Sequence, residues 1–248
     1  MTWSESGGNG SRVFLLLHGL GATAAVWSGV RRVIEERSLG HWVAPDLGGH
    51  GGSAWRRNYT VGDHAAEVAE LVRDSQELFV IGHSLGAYIA LALASRWFGV
   101  EVVGVLGVGP KVTWSEADLQ GSREIANRPV RWYATAEEAW ARYRRASGLD
   151  TAVAPTDEWL ARGVMKGEEG WRLSQDPRTF DVAGAPFDSL AKSARARVIL
   201  ARGEKDPMVS TAELRIHASQ AVEVPGCGHN AQVEKPQAIV DLLQGLIG

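Results

Sequence analysis

Ser84 stands in Gly82-His83-Ser84-Leu85-Gly86. An apolar run, Leu78-Phe79-Val80-Ile81, precedes it, and an Ala/Leu-rich segment with no polar face, Ala87 to Ala92, follows. The 29 glycines and 17 serines in 248 residues give a bare Gly-x-Ser-x-Gly roughly 0.2 times by chance, so the flanks carry the information. A strand that turns into a helix within a few residues leaves a hydroxyl exposed at the corner. Small residues two places either side permit so tight a turn. The helix start then aims free N–H groups and its positive end at the serine. A hydroxyl held this way can serve as a nucleophile once a base takes its proton. The plainer alternative is a serine that only caps a buried helix.

The elements around it alternate. Val13 to Leu17, His41 to Pro45, Glu77 to Ile81, Glu101 to Gly109, Val198 to Ala201 and Ala221 to Pro225 read as strands, several of them continuous apolar runs. Such runs suit strands buried on both faces of a parallel sheet. Between them lie helical patterns. Ala24 to Arg37 carries Val26, Trp27, Val30, Val33 and Ile34 on one side, and Thr60 to Arg73 opens with a capping pair, Thr60 and Asp63. Alternation of this kind implies βαβ units with right-handed crossovers. Residues 1–11 suit a short edge strand or a loose start. From about 111 to 190 the pattern is helical, with helices opening at Thr135 and Thr156 and no buried strand run. Five of the ten tryptophans fall there.

Bulk properties exclude other classes. Net charge is −3 without a long basic run, which speaks against a nucleic-acid partner. No apolar run reaches membrane-spanning length. One cysteine, Cys227, allows no internal disulfide. With a polar, Gly-rich start that lacks a signal-peptide pattern, a cytoplasmic location is expected. The seven histidines show no His-x-x-x-His or His-Glu-x-x-His spacing, and no phosphate-binding Gly loop is present. No metal or cofactor is therefore expected.

Gly82-His83-Ser84-Leu85-Gly86 resembles the nucleophile elbow of the α/β-hydrolase family. The resemblance extends over the rest of the core: His18-Gly19-Leu20-Gly21 after the first parallel strand, Asp46-Leu47-Gly48-Gly49-His50-Gly51-Gly52-Ser53, Gly203-Glu204-Lys205-Asp206 and Gly228-His229, with Glu234-Lys235-Pro236 opening the last helix. It implies an α/β-hydrolase fold, a mainly parallel twisted sheet flanked by helices. The core would comprise 1–110 and 191–248, with a helical cap at 111–190. It further implies Ser84, Asp206 and His229 as a catalytic triad, with the Leu20 and Leu85 N–H groups as oxyanion hole. Glu204 and Asp188 compete with Asp206 for the acid. The alternative acid position after the preceding strand, Gly109-Pro110-Lys111-Val112, holds no carboxylate. Asp46 and His50 are read as structural, and Cys227 as a small buried residue.

The implied activity is serine-dependent hydrolysis of a small carboxylic ester or lactone. A carbon–carbon bond hydrolase, a thioesterase or a cofactor-free perhydrolase would use the same triad. A non-catalytic receptor or a lyase would use the fold otherwise. Trp114, Trp132, Trp140 and Trp159 are the expected pocket lining, which favours a neutral, apolar substrate. Arg142, Arg144 and Arg145 are read as a solvated helix face, with a substrate-carboxylate contact as the alternative.

Overall fold

Strand β2 (Arg12–Leu17) shows how the core is built. Phe14 and Leu16 pack into one apolar layer, and Val13, Leu15 and Leu17 into another on the opposite face. Successive side chains of a strand point to opposite faces, so a continuous apolar run needs cover on both sides. The computed structural model describes residues 1–150 and 157–247, with the side chains of residues 157 and 158 left aside. Thr156, expected to open a helix, lies outside the described residues.

The sheet contains β1 (Ser4–Gly8), β2, β3 (His41–Pro45), β4 (Glu77–His83), β5 (Val102–Val108), β8 (Arg197–Gly203) and β9 (Gln220–Val224), in the order β1-β3-β2-β4-β5-β8-β9. Only the edge strand β1 runs antiparallel, paired with β3. The chain runs outward from β2 to β3, then back across to β4. Helices therefore fall on both faces. On one lie α1 (Ser28–Glu36), the short α9 (Ala231–Glu234) and α10 (Pro236–Ile247). On the other lie α2 (Val61–Glu70), α3 (Leu85–Ala94), α7 (Phe187–Ser193) and α8 (Thr211–His217). Every residue of α3 is buried, which explains why its sequence has no polar face. The expected helix from Ala24 divides into a 3₁₀ turn, Ala24–Trp27, followed by α1. Thr60 caps α2 by accepting the Asp63 N–H at 3.0 Å.

Between β5 and β8 the chain forms α4 (Glu116–Ala126), α5 (Ala136–Ala146), α6 (Asp157–Gly163), a hairpin of β6 (Val164–Gly167) and β7 (Gly170–Leu173), and a 3₁₀ turn, Pro177–Val182. The hairpin corrects the expectation of an all-helical segment. Its strands are four residues long and only partly buried, so no apolar run marks them. The turn Gly167-Glu168-Glu169-Gly170, with Gly170 at φ +119°, is their one local signal. Helix α7 crosses residue 190, the expected edge of the inserted segment.

The insertion is tied to the core by buried polar contacts. Tyr59 donates to Asp176 at 2.8 Å, and the Asp176 N–H donates to the Gly49 carbonyl at 2.8 Å. Trp55 Nε1 donates to the Ser174 carbonyl at 2.8 Å. Arg162 pairs with the fully buried Asp46 and stacks on Trp3. Among the described residues no helix is long and apolar enough to cross a membrane.

Candidate active site

The site lies at the carboxyl ends of β2, β4, β8 and β9, where loops diverge from a parallel sheet. Ser84 sits between β4 and α3 with φ +50° and ψ −113°. A non-glycine residue rarely holds positive φ, and here the surroundings impose it. The Ser84 N–H donates to the Val108 carbonyl at 2.8 Å, and the Ala87 N–H donates back to the Ser84 carbonyl at 3.0 Å. A Cβ on Gly82 would overlap the Gly86 carbonyl, and a Cβ on Gly86 would overlap the Leu17 carbonyl. Each glycine flanking the serine is thus required by backbone packed against backbone.

His229 follows β9. Its Nδ1 lies 3.0 Å from Asp206 Oδ2. Asp206 is buried, and its other oxygen accepts the Met208 N–H at 2.8 Å. Arg202 braces the same loop by donating to the Asp206 and Glu204 carbonyls at 2.8 and 2.9 Å. The two competing acids stand elsewhere. Glu204 accepts the Gly226 N–H at 2.7 Å, and Asp188 is paired with Lys192 at 2.6 Å. With Asp206 accepting from Nδ1–H, the lone pair of His229 is left on Nε2.

His83 completes this arrangement and was not singled out from the sequence. Its ring packs 4.7 Å from that of His229, and Nε2 lies 3.0 Å from the His229 carbonyl. Burial, and secondarily the neighbouring His229, push its pKa well below the ordinary value. The neutral ring donates from Nε2 and so anchors the His229 backbone. Asn230 adds a second anchor, donating to the Gly148 carbonyl of the insertion at 2.9 Å.

The Leu20 amide is oriented by its own peptide plane. The Gly19 carbonyl accepts from the buried His18 Nδ1 at 2.8 Å and from the Ala22 N–H at 3.2 Å. His18 Nε2 in turn accepts the Leu47 N–H at 2.9 Å. In a trans peptide the C=O of Gly19 and the N–H of Leu20 point in opposite directions. The two bonds to the Gly19 carbonyl thus fix the plane of the Gly19–Leu20 peptide, and Leu20 lines the cavity beside Ser84. Burial lowers the His18 pKa to about 4, consistent with this neutral tautomer. Leu85 is the first residue of α3, so its N–H has no acceptor within the helix. Asp46 accepts N–H bonds from Ala24 and Gly52, both at 2.8 Å. His50 accepts the Gly21 N–H at 3.3 Å. Both hold the loops behind the site.

Ser84, Leu85, Leu20 and His229 line one cavity of about 390 Å³. The insertion supplies Trp114, Arg145 and Phe180 to its wall, and Tyr88 and Met208 come from the core. Trp114 Nε1 donates to the Tyr88 hydroxyl at 3.0 Å. The other three expected tryptophans lie elsewhere. Trp159 is buried against the core and donates to Ser28 Oγ at 3.1 Å. Trp140 packs on the same apolar layer, and Trp132 lies against Gly167 and the Arg172 guanidinium. They join the insertion to the core and to its own hairpin. The cavity wall is correspondingly mixed: Lys111, paired with Asp118 at 3.1 Å, and Arg145 share it with the aromatic rings. Among the described residues no group of acidic, histidine or cysteine side chains forms a metal site.

Ser84 after β4, Asp206 after β8 and His229 after β9 thus stand at the carboxyl ends of strands in a mainly parallel sheet. The family model for the alpha/beta hydrolase family matches residues 14–242, and the chain belongs to that family. It is 32 % identical to the esterase Rv0045c of Mycobacterium tuberculosis over 97 % of this chain and 84 % of that protein. It is 24 % identical to the lipase LipV of the same organism over 98 % of this chain and 95 % of that one. Among solved structures, E-2-(acetamidomethylene)succinate hydrolase superposes with a TM-score of 0.83 at 21 % identity, covering 99 % of this chain and 94 % of that one. The protein is a hydrolase enzyme.

Proposed function

We propose that the protein is a serine esterase acting on a small ester whose scissile bond is flanked by apolar groups. The observation that carries this reading is the Asp206–His229 pair, 3.0 Å apart, beside the cavity that also exposes Ser84 at a helix start. His229 Nε2 takes the Ser84 proton as the hydroxyl oxygen attacks the ester carbonyl. Asp206 holds the imidazole tautomer and stabilises its cation. The Leu20 and Leu85 N–H groups receive the oxyanion. The C–O bond to the alcohol then breaks, and the alcohol leaves with the proton carried by His229. Water, deprotonated by the same ring, releases the acid and restores Ser84. The segment 111–190 acts as a cap, and Trp114 and Phe180 are its contribution to the acyl or alcohol pocket.

A short-chain p-nitrophenyl ester tests the reading. A pre-steady-state burst of about one p-nitrophenol per active site is expected. Ser84→Ala should fold normally and lose on the order of 10⁶ in kcat. Comparable turnover by a contamination-free Ser84→Ala preparation would refute the assignment.

A further inference from the structure

Beside the Ser84 cavity lies a second, larger cleft of about 880 Å³ within the insertion. Four arginines line it: Arg128 and Arg131 after α4, and Arg142 and Arg145 on α5. No aspartate or glutamate does. Arg142 and Arg145 are three residues apart on one helix, so their side chains rise from the same face. Neighbouring arginines have acidic partners: Arg123 pairs with Glu116 at 2.6 Å, and Arg144 with Asp150 at 3.8 Å. Among the described residues no carboxylate pairs with any of the four cleft arginines; Arg131 only stacks over Tyr133 at 5.0 Å. A chain with net charge −3 thus gathers four uncompensated cations in one concave surface. Like charges brought together cost stability in the empty protein, so packing does not account for them.

Arg145, Ala146 and Phe180 line both the cleft and the Ser84 cavity. A molecule with its scissile carbonyl at Ser84 can continue past Arg145 into the cleft. Guanidinium groups bind phosphate and carboxylate oxygens through paired N–H donors. We infer that the arginine cleft binds an anionic group, phosphate or carboxylate, carried by the substrate at a distance from the bond that is cleaved. This rests on the esterase reading of Ser84 and deepens it. The apolar stretch of the substrate lies beside Trp114 and Tyr88, and its charged end lies among the arginines. It departs from the wholly neutral substrate that the tryptophan content suggests.

Two matched substrate pairs distinguish where the anion sits. Mono-p-nitrophenyl adipate against p-nitrophenyl hexanoate places a carboxylate on the acyl side. Hexanoyl-coenzyme A against hexanoyl-N-acetylcysteamine places phosphates on the leaving group. In at least one pair the charged member should have the higher kcat/KM. That ratio should fall tenfold or more in Arg128→Gln/Arg142→Gln and again in 0.5 M NaCl, which screens exposed charge. Calorimetry with free coenzyme A and with adipate reads the cleft without turnover. Saturable binding of one of them, weakened tenfold or more in the same double variant, is expected. Equal or poorer turnover of both charged members, or no binding of either probe, overturns the cleft assignment even if neutral esters are hydrolysed. Binding without hydrolysis of any ester leaves the cleft an anion site and overturns the esterase reading instead.

Discussion

Gly109 follows β5 at φ +59°, and a Cβ there would stand 3.0 Å from Asp206 Oδ2 and 3.2 Å from His229 Nδ1. Gly109→Ala therefore perturbs backbone and site together. The left-handed conformation costs a non-glycine residue about 1–2 kcal/mol. For a domain of this size each kcal/mol lowers Tm by about 2–4 °C, so a loss of about 2–8 °C is expected. The new methyl must also gain a few tenths of an ångström from its neighbours. Asp206 has little freedom to yield, because the Met208 N–H and Arg202 hold its carboxylate and carbonyl. The His229 ring, partly exposed where it lines the cavity, is displaced instead, and its bond to Asp206 lengthens. Complete loss of imidazole orientation costs about 10⁴ in kcat in the triad of serine proteases. A displacement of this size should cost about 10–100-fold, with KM little changed. Gly99→Ala is the control. Gly99 has φ +74° and only the Arg73 guanidinium at 3.4 Å, remote from the site. It should show the same Tm loss and full kcat. The measurement is kcat and KM on one p-nitrophenyl ester, with Tm by calorimetry, for both variants. Equal kcat in the two variants would refute the claim that Gly109 leaves room for the Asp206–His229 pair.

Three further outcomes are expected. Asp206→Asn should lose far more kcat than Glu204→Gln or Asp188→Asn, since only Asp206 touches His229; a larger loss for Glu204→Gln would reassign the acid. Burial holds His64 at a pKa of about 4, and neither of its ring nitrogens has a hydrogen-bond partner among the described residues. The unfolded chain binds a proton at His64 near pH 6.5 while the folded protein does not, so stability is lost as pH falls from 6.5 toward 4. His64→Leu should lessen that loss, read as Tm at pH 5 against pH 7.5, and an unchanged pH dependence would exclude His64 as a contributor. Trp114→Ala should change the relative kcat/KM among esters of differing size, whereas Trp132→Ala, Trp140→Ala and Trp159→Ala should lower Tm and leave the ranking intact; a ranking altered by Trp159→Ala would contradict its place against Ser28.

The elbow is legible in the sequence because its constraint is local. Gly82 and Gly86 are needed where a strand and helix meet within five residues, and any larger side chain would meet backbone. The same holds for strand β2, whose unbroken apolar run already states that both faces are covered. The order of Ser84, Asp206 and His229 along the chain places them at three strand ends of a parallel sheet, which the alternation of apolar runs and helices had implied. Other features depend on pairs far apart in sequence, and no local pattern carries them. Glu204 and Asp206 differ by two positions, and the turn after β8 alone directs one to the Gly226 amide and the other to His229. Four tryptophans of one segment look equivalent as a composition. Their fates diverge because the insertion docks through Tyr59–Asp176, Arg162–Asp46 and Asn230–Gly148, and that pose turns Trp114 to the cavity and Trp159 to the core. The packing of the insertion on itself gathers Arg128 and Arg131 with Arg142 and Arg145, two pairs that the sequence presents as unrelated surface charge.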